Sequence, residues 1–109
     1  IYDHTLVTPA VLDRSNRNRQ REDMITPLMS LRDSLPLWEQ HFAPKLKEIR
    51  HPTLILWGEQ DRLFPPQVGR DLQATIPQAR LITIPGAGHI PQWEQPQVVN
   101  RHITEFLQP

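Results

Sequence analysis

The feature that most constrains this 109-residue chain is the order of apolar runs in its second half. Thr53-Leu54-Ile55-Leu56-Trp57 is a continuous, partly β-branched run, opened by Pro52 and stopped by Gly58. A run without polar alternation suits a strand covered on both faces, as in a parallel sheet. A loop follows to Phe64. Pro65-Pro66 then introduces a helix with Val68, Leu72 and Ile76 on one face, and Pro77 closes it. Leu81-Ile82-Thr83-Ile84 forms a second strand, ending at Pro85-Gly86. After another loop, a closing helix begins near Gln95, with Val99, Ile103, Phe106 and Leu107 on one stripe. Strand, helix, strand, helix is a βαβ unit with a trailing helix. Its strands should run parallel with a right-handed crossover, so the fold class is α/β.

That topology has a chemical consequence. Loops leaving the C-terminal ends of parallel strands emerge on one sheet edge, where ligands bind in open α/β sheets. Asp61 lies four residues past Trp57, and His89 lies five past Ile84. With neighbouring strands about 4.8 Å apart, both side chains can converge at that edge. A carboxylate bonded to one imidazole nitrogen fixes the tautomer and leaves the other nitrogen free to take a proton from a nucleophile. Gly86 and Gly88 allow a sharp bend just before His89.

Residues 1–50 differ: they contain no glycine and no convincing strand. Thr8 and Pro9 suit an N-cap and first helical position, ahead of a strongly basic stretch, Arg14 to Arg21. Met24, Leu28, Leu31 and Leu35 recur at helical spacing and are expected to form a buried stripe, with Pro36 ending that helix and another following over 37–49. The organisation expected is a helical segment, 1–50, and an α/β segment, 51–109. Lys plus Arg balance Asp plus Glu at 12 each. The chain therefore offers no electrostatic reason to bind nucleic acid or an anionic membrane. It has no cysteine, which excludes thiol catalysis and a Cys-ligated metal. His4, His41, His51 and His102 show no ligand spacing, so neither a metal nor a cofactor is expected. No apolar run approaches a membrane span and no signal segment opens the chain; a cytoplasmic protein is expected.

Two segments carry a family resemblance. Pro52-Thr-Leu-Ile-Leu-Trp-Gly-Glu-Gln-Asp61-Arg-Leu-Phe-Pro65 resembles the acid-bearing strand and loop of the α/β-hydrolase superfamily. Leu81-Ile-Thr-Ile-Pro-Gly-Ala-Gly-His89-Ile-Pro-Gln-Trp-Glu94-Gln-Pro96 resembles its histidine loop, and the spacing of 28 residues from Asp61 to His89 matches that family's usual one. Residues 1–50 resemble, less specifically, the helical cap (lid) inserted before the acid strand, with Tyr2-Asp3 and Leu6-Val7-Thr8 similar to cap segments of esterase-like and C–C-bond hydrolases. The resemblance implies the C-terminal βαβα portion of a hydrolase sheet preceded by a cap segment. It implies Asp61 as catalytic acid and His89 as catalytic base, acting in the parent protein on a small-molecule ester-like substrate.

One departure limits that expectation. The family's nucleophile sits in a G-x-S-x-G elbow upstream of the acid. Here Ser15, Ser30 and Ser34 have no flanking glycine, and the first glycine of the chain is Gly58. The expectation is a fragment whose serine nucleophile is missing and which needs the missing N-terminal half to fold. Two alternatives remain at this level: a parent with an aspartate nucleophile, such as a haloalkane dehalogenase or epoxide hydrolase, and a non-catalytic binding protein on a degenerate hydrolase fold. Phe64, Ile90 and Trp93 are candidate pocket residues. Trp57 suits core packing as well as a pocket wall, and Glu94 suits a role in fixing the histidine loop.

Overall fold

The computed structural model describes residues 4–108, apart from the side chains of residues 22, 25, 28 and 38. Tyr2, Asp3 and the Leu28 side chain thus lie outside the described residues. The chain divides into two compact units, Val7–Lys45 and a second built mainly from residue 46 onward.

In the first unit α1 spans Pro9–Arg19. Thr8 is its N-cap in extended conformation; its hydroxyl oxygen accepts from the Val11 N–H at 3.3 Å, and Pro9 occupies the first turn, where no N–H is needed. The basic stretch lies within this helix, where Arg17 pairs with Asp13 one turn back. Helix α2 spans Glu22–Phe42 and passes through Pro27 and Pro36. The expected break at Pro36, with a separate helix over 37–49, is therefore wrong. Proline removes one N–H, but the turns around it, with Leu31, Arg32, Leu35, Leu37 and Glu39, favour helix and carry it onward. After Phe42 the backbone tightens into a 3₁₀ stretch, Ala43–Glu48.

The expected buried stripe also fails. Met24, Leu31 and Leu35 are 37, 59 and 55% exposed, and α1 has no buried residue. A small unit buries a smaller share of its apolar surface than a large one, and here the stripe is left outside.

The second unit holds β1 (Thr53–Gly58), α3 (Pro66–Thr75), β2 (Ala79–Ile84), α4 (Pro91–Glu94) and α5 (Pro96–Leu107). The strands pair parallel, Thr53 with Ala79 through Gly58 with Ile84. This is the βαβα order expected. Alternation along the strands sends side chains to two faces. On one face lie Trp57 and Leu81, against which α3 packs through Gly69. On the other, Leu56, Ile82 and Ile84 meet Ala87 and the α5 residues Val98 and Val99, with Ile84 and Ala87 fully buried. Helices on both faces explain why the Thr53–Trp57 run shows no polar alternation.

Prolines set the element ends. Ile76, before Pro77, leaves the helical region (φ −90°, ψ 116°) and stops α3. Ile90 and Gln95, before Pro91 and Pro96, adopt nearly the same conformation (φ −125°, ψ 63° and φ −136°, ψ 58°). The closing helix expected from Gln95 is α5, and the short α4 before it, ended by the break at Gln95, falls where the sequence predicts loop. The inward stripe of α5 agrees with expectation at two of four positions: Val99 is 3% exposed and Phe106 half-buried, but Ile103 and Leu107 are 39 and 72% exposed. Val98 and His102, which the expected stripe did not include, are half-buried beside them.

Candidate active site

Asp61 and His89 lie in the loops that leave the C-terminal ends of β1 and β2. Two backbone bonds carry the strand pairing past those ends: Glu59 N–H donates to Ile84 O at 3.1 Å, and Gln60 N–H donates to Ala87 O at 2.9 Å. The loops are thereby held together before either the Asp61 or the His89 side chain departs. Their closeness depends on Gly58. A Cβ there would lie 1.9 Å from Gly88 O and 2.6 Å from Ala87 O, well inside van der Waals contact. Gly86 takes a positive φ of 68° and turns the chain after β2. Gly88 does not share that conformation, so the paired-glycine bend expected before His89 reduces to Gly86 alone.

The two side chains meet. His89 Nδ1 lies 3.0 Å from Asp61 Oδ2. A carboxylate can only accept, so Nδ1 carries the proton and Nε2 of the neutral ring is left as the basic nitrogen. Asp61 is 8% exposed, whereas the imidazole is 41% exposed. A buried orienting group behind a ring open to its surroundings can hold one nitrogen while the other exchanges protons.

The other Asp61 oxygen, Oδ1, accepts from the backbone N–H groups of Leu63 at 2.9 Å and Phe64 at 3.0 Å. Burial is the largest influence on this carboxyl and pushes its pKa up. The bonds from His89, Phe64 and Leu63, with the His89 charge, together outweigh it and hold Asp61 below its ordinary value of 3.8. The unfolded chain therefore binds this proton more tightly than the folded one. Asp61 contributes stability that is complete above the unfolded value and lost as pH falls through the lower folded value. Denaturation midpoints measured from about pH 6 down to about pH 2 should show an acid limb that is shallower in Asp61→Asn; an identical limb in the variant would remove Asp61 from the acid response.

Glu94 secures the histidine loop, as its position suggested. Its Oε1 accepts from Gly88 N–H and Ile90 N–H, both at 3.1 Å, so one buried carboxylate grips the backbone on either side of His89. The two pre-proline kinks, at Ile90 and Gln95, bound the short α4, whose last residue is Glu94. Gln95 adds a bond from Nε2 to Gly86 O at 3.3 Å. The Phe64 ring lies 5.5 Å from the imidazole at 45°, and Trp93 on α4 is 42% exposed. Ile90, half-buried, adjoins His89 in sequence. Trp57 packs against α3, and its indole N–H donates to Phe64 O at 3.0 Å. Sequence reasoning missed Gly58 as the point of closest approach and the Trp57 bond. The motif order strand–Gly–loop–Asp was a usable signal for the former; nothing in the sequence pointed to the latter. Among the described residues no group of three metal-capable side chains gathers, and no helix is long and apolar enough to cross a membrane.

Comparison with known proteins identifies the fold. The profile of a family described as alpha/beta hydrolase fold matches residues 4–96. The chain is 32% identical over 108 residues to a 2-hydroxy-6-oxononadienedioate/2-hydroxy-6-oxononatrienedioate hydrolase of Comamonas testosteroni. It is 33% identical over 108 residues to a 2-hydroxy-6-oxo-6-phenylhexa-2,4-dienoate hydrolase of Burkholderia cepacia. Each alignment takes in 98% of this chain and 38% of the relative, so the chain spans about two fifths of their length. Among solved structures, a thermophilic esterase from Thermogutta terrifontis superposes with a TM-score of 0.55 at 42% identity, covering 57% of this chain and 23% of the esterase. An α/β-hydrolase enzyme from the metagenome of lagoon sediments at Mar Chica, Morocco, superposes with a TM-score of 0.74 at 25% identity, covering 90% of this chain and 44% of that one.

Proposed function

This chain belongs to the α/β-hydrolase fold family, and on that premise we propose that Asp61 and His89 are the acid and base of a Ser-His-Asp hydrolase acting on a carbonyl substrate. The observation that carries the reading is the 3.0 Å contact between His89 Nδ1 and the buried Asp61 carboxylate, at the C-terminal edge of two parallel strands. In this mechanism His89 Nε2 takes the proton of a serine hydroxyl as its oxygen attacks the carbonyl carbon. The imidazolium, balanced by Asp61, then returns that proton to the leaving group. The serine is not in these 109 residues, which hold no G-x-S-x-G elbow. We place it on a segment corresponding to the part of the relatives that this chain does not span.

The relatives named above point to two substrate types, esters and 6-oxo dienoates. Both present a carbonyl carbon to a nucleophile; they differ in whether the leaving atom that receives the His89 proton is oxygen or carbon. We assign Phe64, Ile90 and Trp93 to the wall on the acyl side of the pocket, because the Phe64 ring lies 5.5 Å from the imidazole and Ile90 and Trp93 follow His89 closely in sequence. The helical segment 1–50 serves as lid, and the open edges of the two-stranded sheet pair with strands of the same unspanned segment. Nothing in this chemistry calls for a cofactor, a nucleic acid or a membrane, and a cytoplasmic setting fits it.

Labelling with a fluorophosphonate tests the reading. The protein expressed together with its upstream coding sequence should form a serine adduct outside these 109 residues, at a rate that collapses in His89→Ala. An adduct on Ser15, Ser30 or Ser34, or labelling indifferent to His89, would defeat it. An aspartate nucleophile would show itself as turnover without any serine adduct.

A further inference from the structure

We propose that Trp57 is a positioning residue: by holding the Phe64 carbonyl, its indole N–H keeps the 61–64 turn closed and the Asp61 carboxylate aimed at His89. This inference rests on the reading of Asp61 and His89 as an acid–base couple.

The case begins with what fails to hold the turn. Leu63 and Phe64 are 65 and 49% exposed, so burial of their side chains does little to fix it. Yet the turn has a demanding task. Its Leu63 and Phe64 N–H groups must both meet Asp61 Oδ1, at 2.9 and 3.0 Å, so that Oδ2 is presented to the imidazole at 3.0 Å. Phe64 joins three of the interactions involved. Its N–H holds Asp61, its ring lies 5.5 Å from that of His89, and its carbonyl accepts the Trp57 indole N–H at 3.0 Å.

Trp57 is well suited to be the fixed end of this chain. It pairs with Thr83 near the end of β1, and α3 lies directly on its ring. A Cβ on Gly69 would sit 3.1 Å from indole atoms Cδ2 and Cε3, and 3.2 Å from Leu81 Cδ1. The absence of a side chain at Gly69 lets the helix approach this closely without displacing the ring, and that approach packs against one face of the indole. Orientation thus passes from sheet and helix to Trp57, from Trp57 to Phe64, and from Phe64 to Asp61 and His89.

Trp57→Phe separates this role from simple packing, because it keeps an aromatic ring against Gly69 and deletes the N–H. In the active protein, kcat should fall roughly tenfold with KM little changed, the scale of one lost hydrogen bond. The downfield proton resonance of His89 Nδ1–H bound to Asp61 should broaden or disappear. In the unmodified protein the Trp57 indole 1H–15N cross-peak should shift on acidification with the same midpoint as the Asp61 carboxyl, a readout that survives if the variant does not fold. A variant of lowered thermal midpoint but unchanged kcat and Nδ1 resonance would overturn the proposal, as would an indole cross-peak indifferent to acid. Failure of the underlying couple looks different: His89→Ala would then leave turnover intact whatever Trp57→Phe does.

Discussion

Gly58→Ala is expected to destabilise the α/β unit by about 3 kcal/mol or more and to break the contact between Asp61 and His89. The added Cβ would fall 1.9 Å from Gly88 O, 2.6 Å from Ala87 O and 2.8 Å from Gly88 C. All three are backbone atoms, so no rotamer change relieves the overlap and the histidine loop must move away from β1. That motion opposes the bonds Gln60 N–H to Ala87 O and Glu59 N–H to Ile84 O, and carries His89 away from the carboxylate. Gly69→Ala makes a useful contrast. Its new Cβ would meet Trp57 and Leu81 side-chain atoms at 3.1–3.2 Å, which can yield by a few tenths of an ångström at a cost of about 1 kcal/mol. Urea denaturation midpoints of the two variants measure the difference, and equal midpoints would show that the loops are not locked by this contact.

His89→Ala and Asp61→Asn are each expected to lower turnover by about 10⁴-fold in the active protein. The first removes the proton carrier. The second leaves a similar shape beside Nδ1 but removes the negative charge that balances the imidazolium, and an amide can donate, which permits the wrong tautomer. Substrate affinity should change far less than kcat in both, because neither group is asked to bind the ground state. Steady-state hydrolysis of an activated ester gives both constants. Retention of activity within tenfold by either variant would mean that proton transfer runs through other groups.

Much of the α/β unit was legible because its signals are local. An apolar run of five residues between proline and glycine, a proline pair before a helical stripe, and a second run ending in Pro-Gly each carry information in adjacent residues. The order of those elements then implies parallel pairing, and parallel pairing implies that Asp61 and His89 share an edge. The helical segment was less legible for the opposite reason. Periodicity in Met24, Leu31 and Leu35 announces an apolar stripe without saying what covers it, and among the described residues these side chains stay exposed. Pro36 was misleading because a proline's penalty is paid within one turn, while the continuation of α2 is decided by the turns on either side. The α5 stripe was half legible: Val99 and Phe106 turn inward as their spacing suggests, whereas Ile103 and Leu107 give way to Val98 and His102, because the inward face follows from the helix's approach to Ile84 and Ala87.

By itself, then, the sequence determined the two strands, the helix between them and the helix that follows, their order, and the two residues whose types suit an acid–base couple, since all of these follow from chain-local stereochemistry and from the handful of topologies a βαβ order permits. Only the tertiary structure decided how that couple is held: Gly58 beneath the carbonyls of Ala87 and Gly88, one Glu94 oxygen on two amides around His89, and the Trp57 indole on Phe64. These contacts join residues brought together by the final turns of the backbone, where differences of a fraction of an ångström separate a hydrogen bond from a clash, and no periodicity or composition encodes a distance that fine.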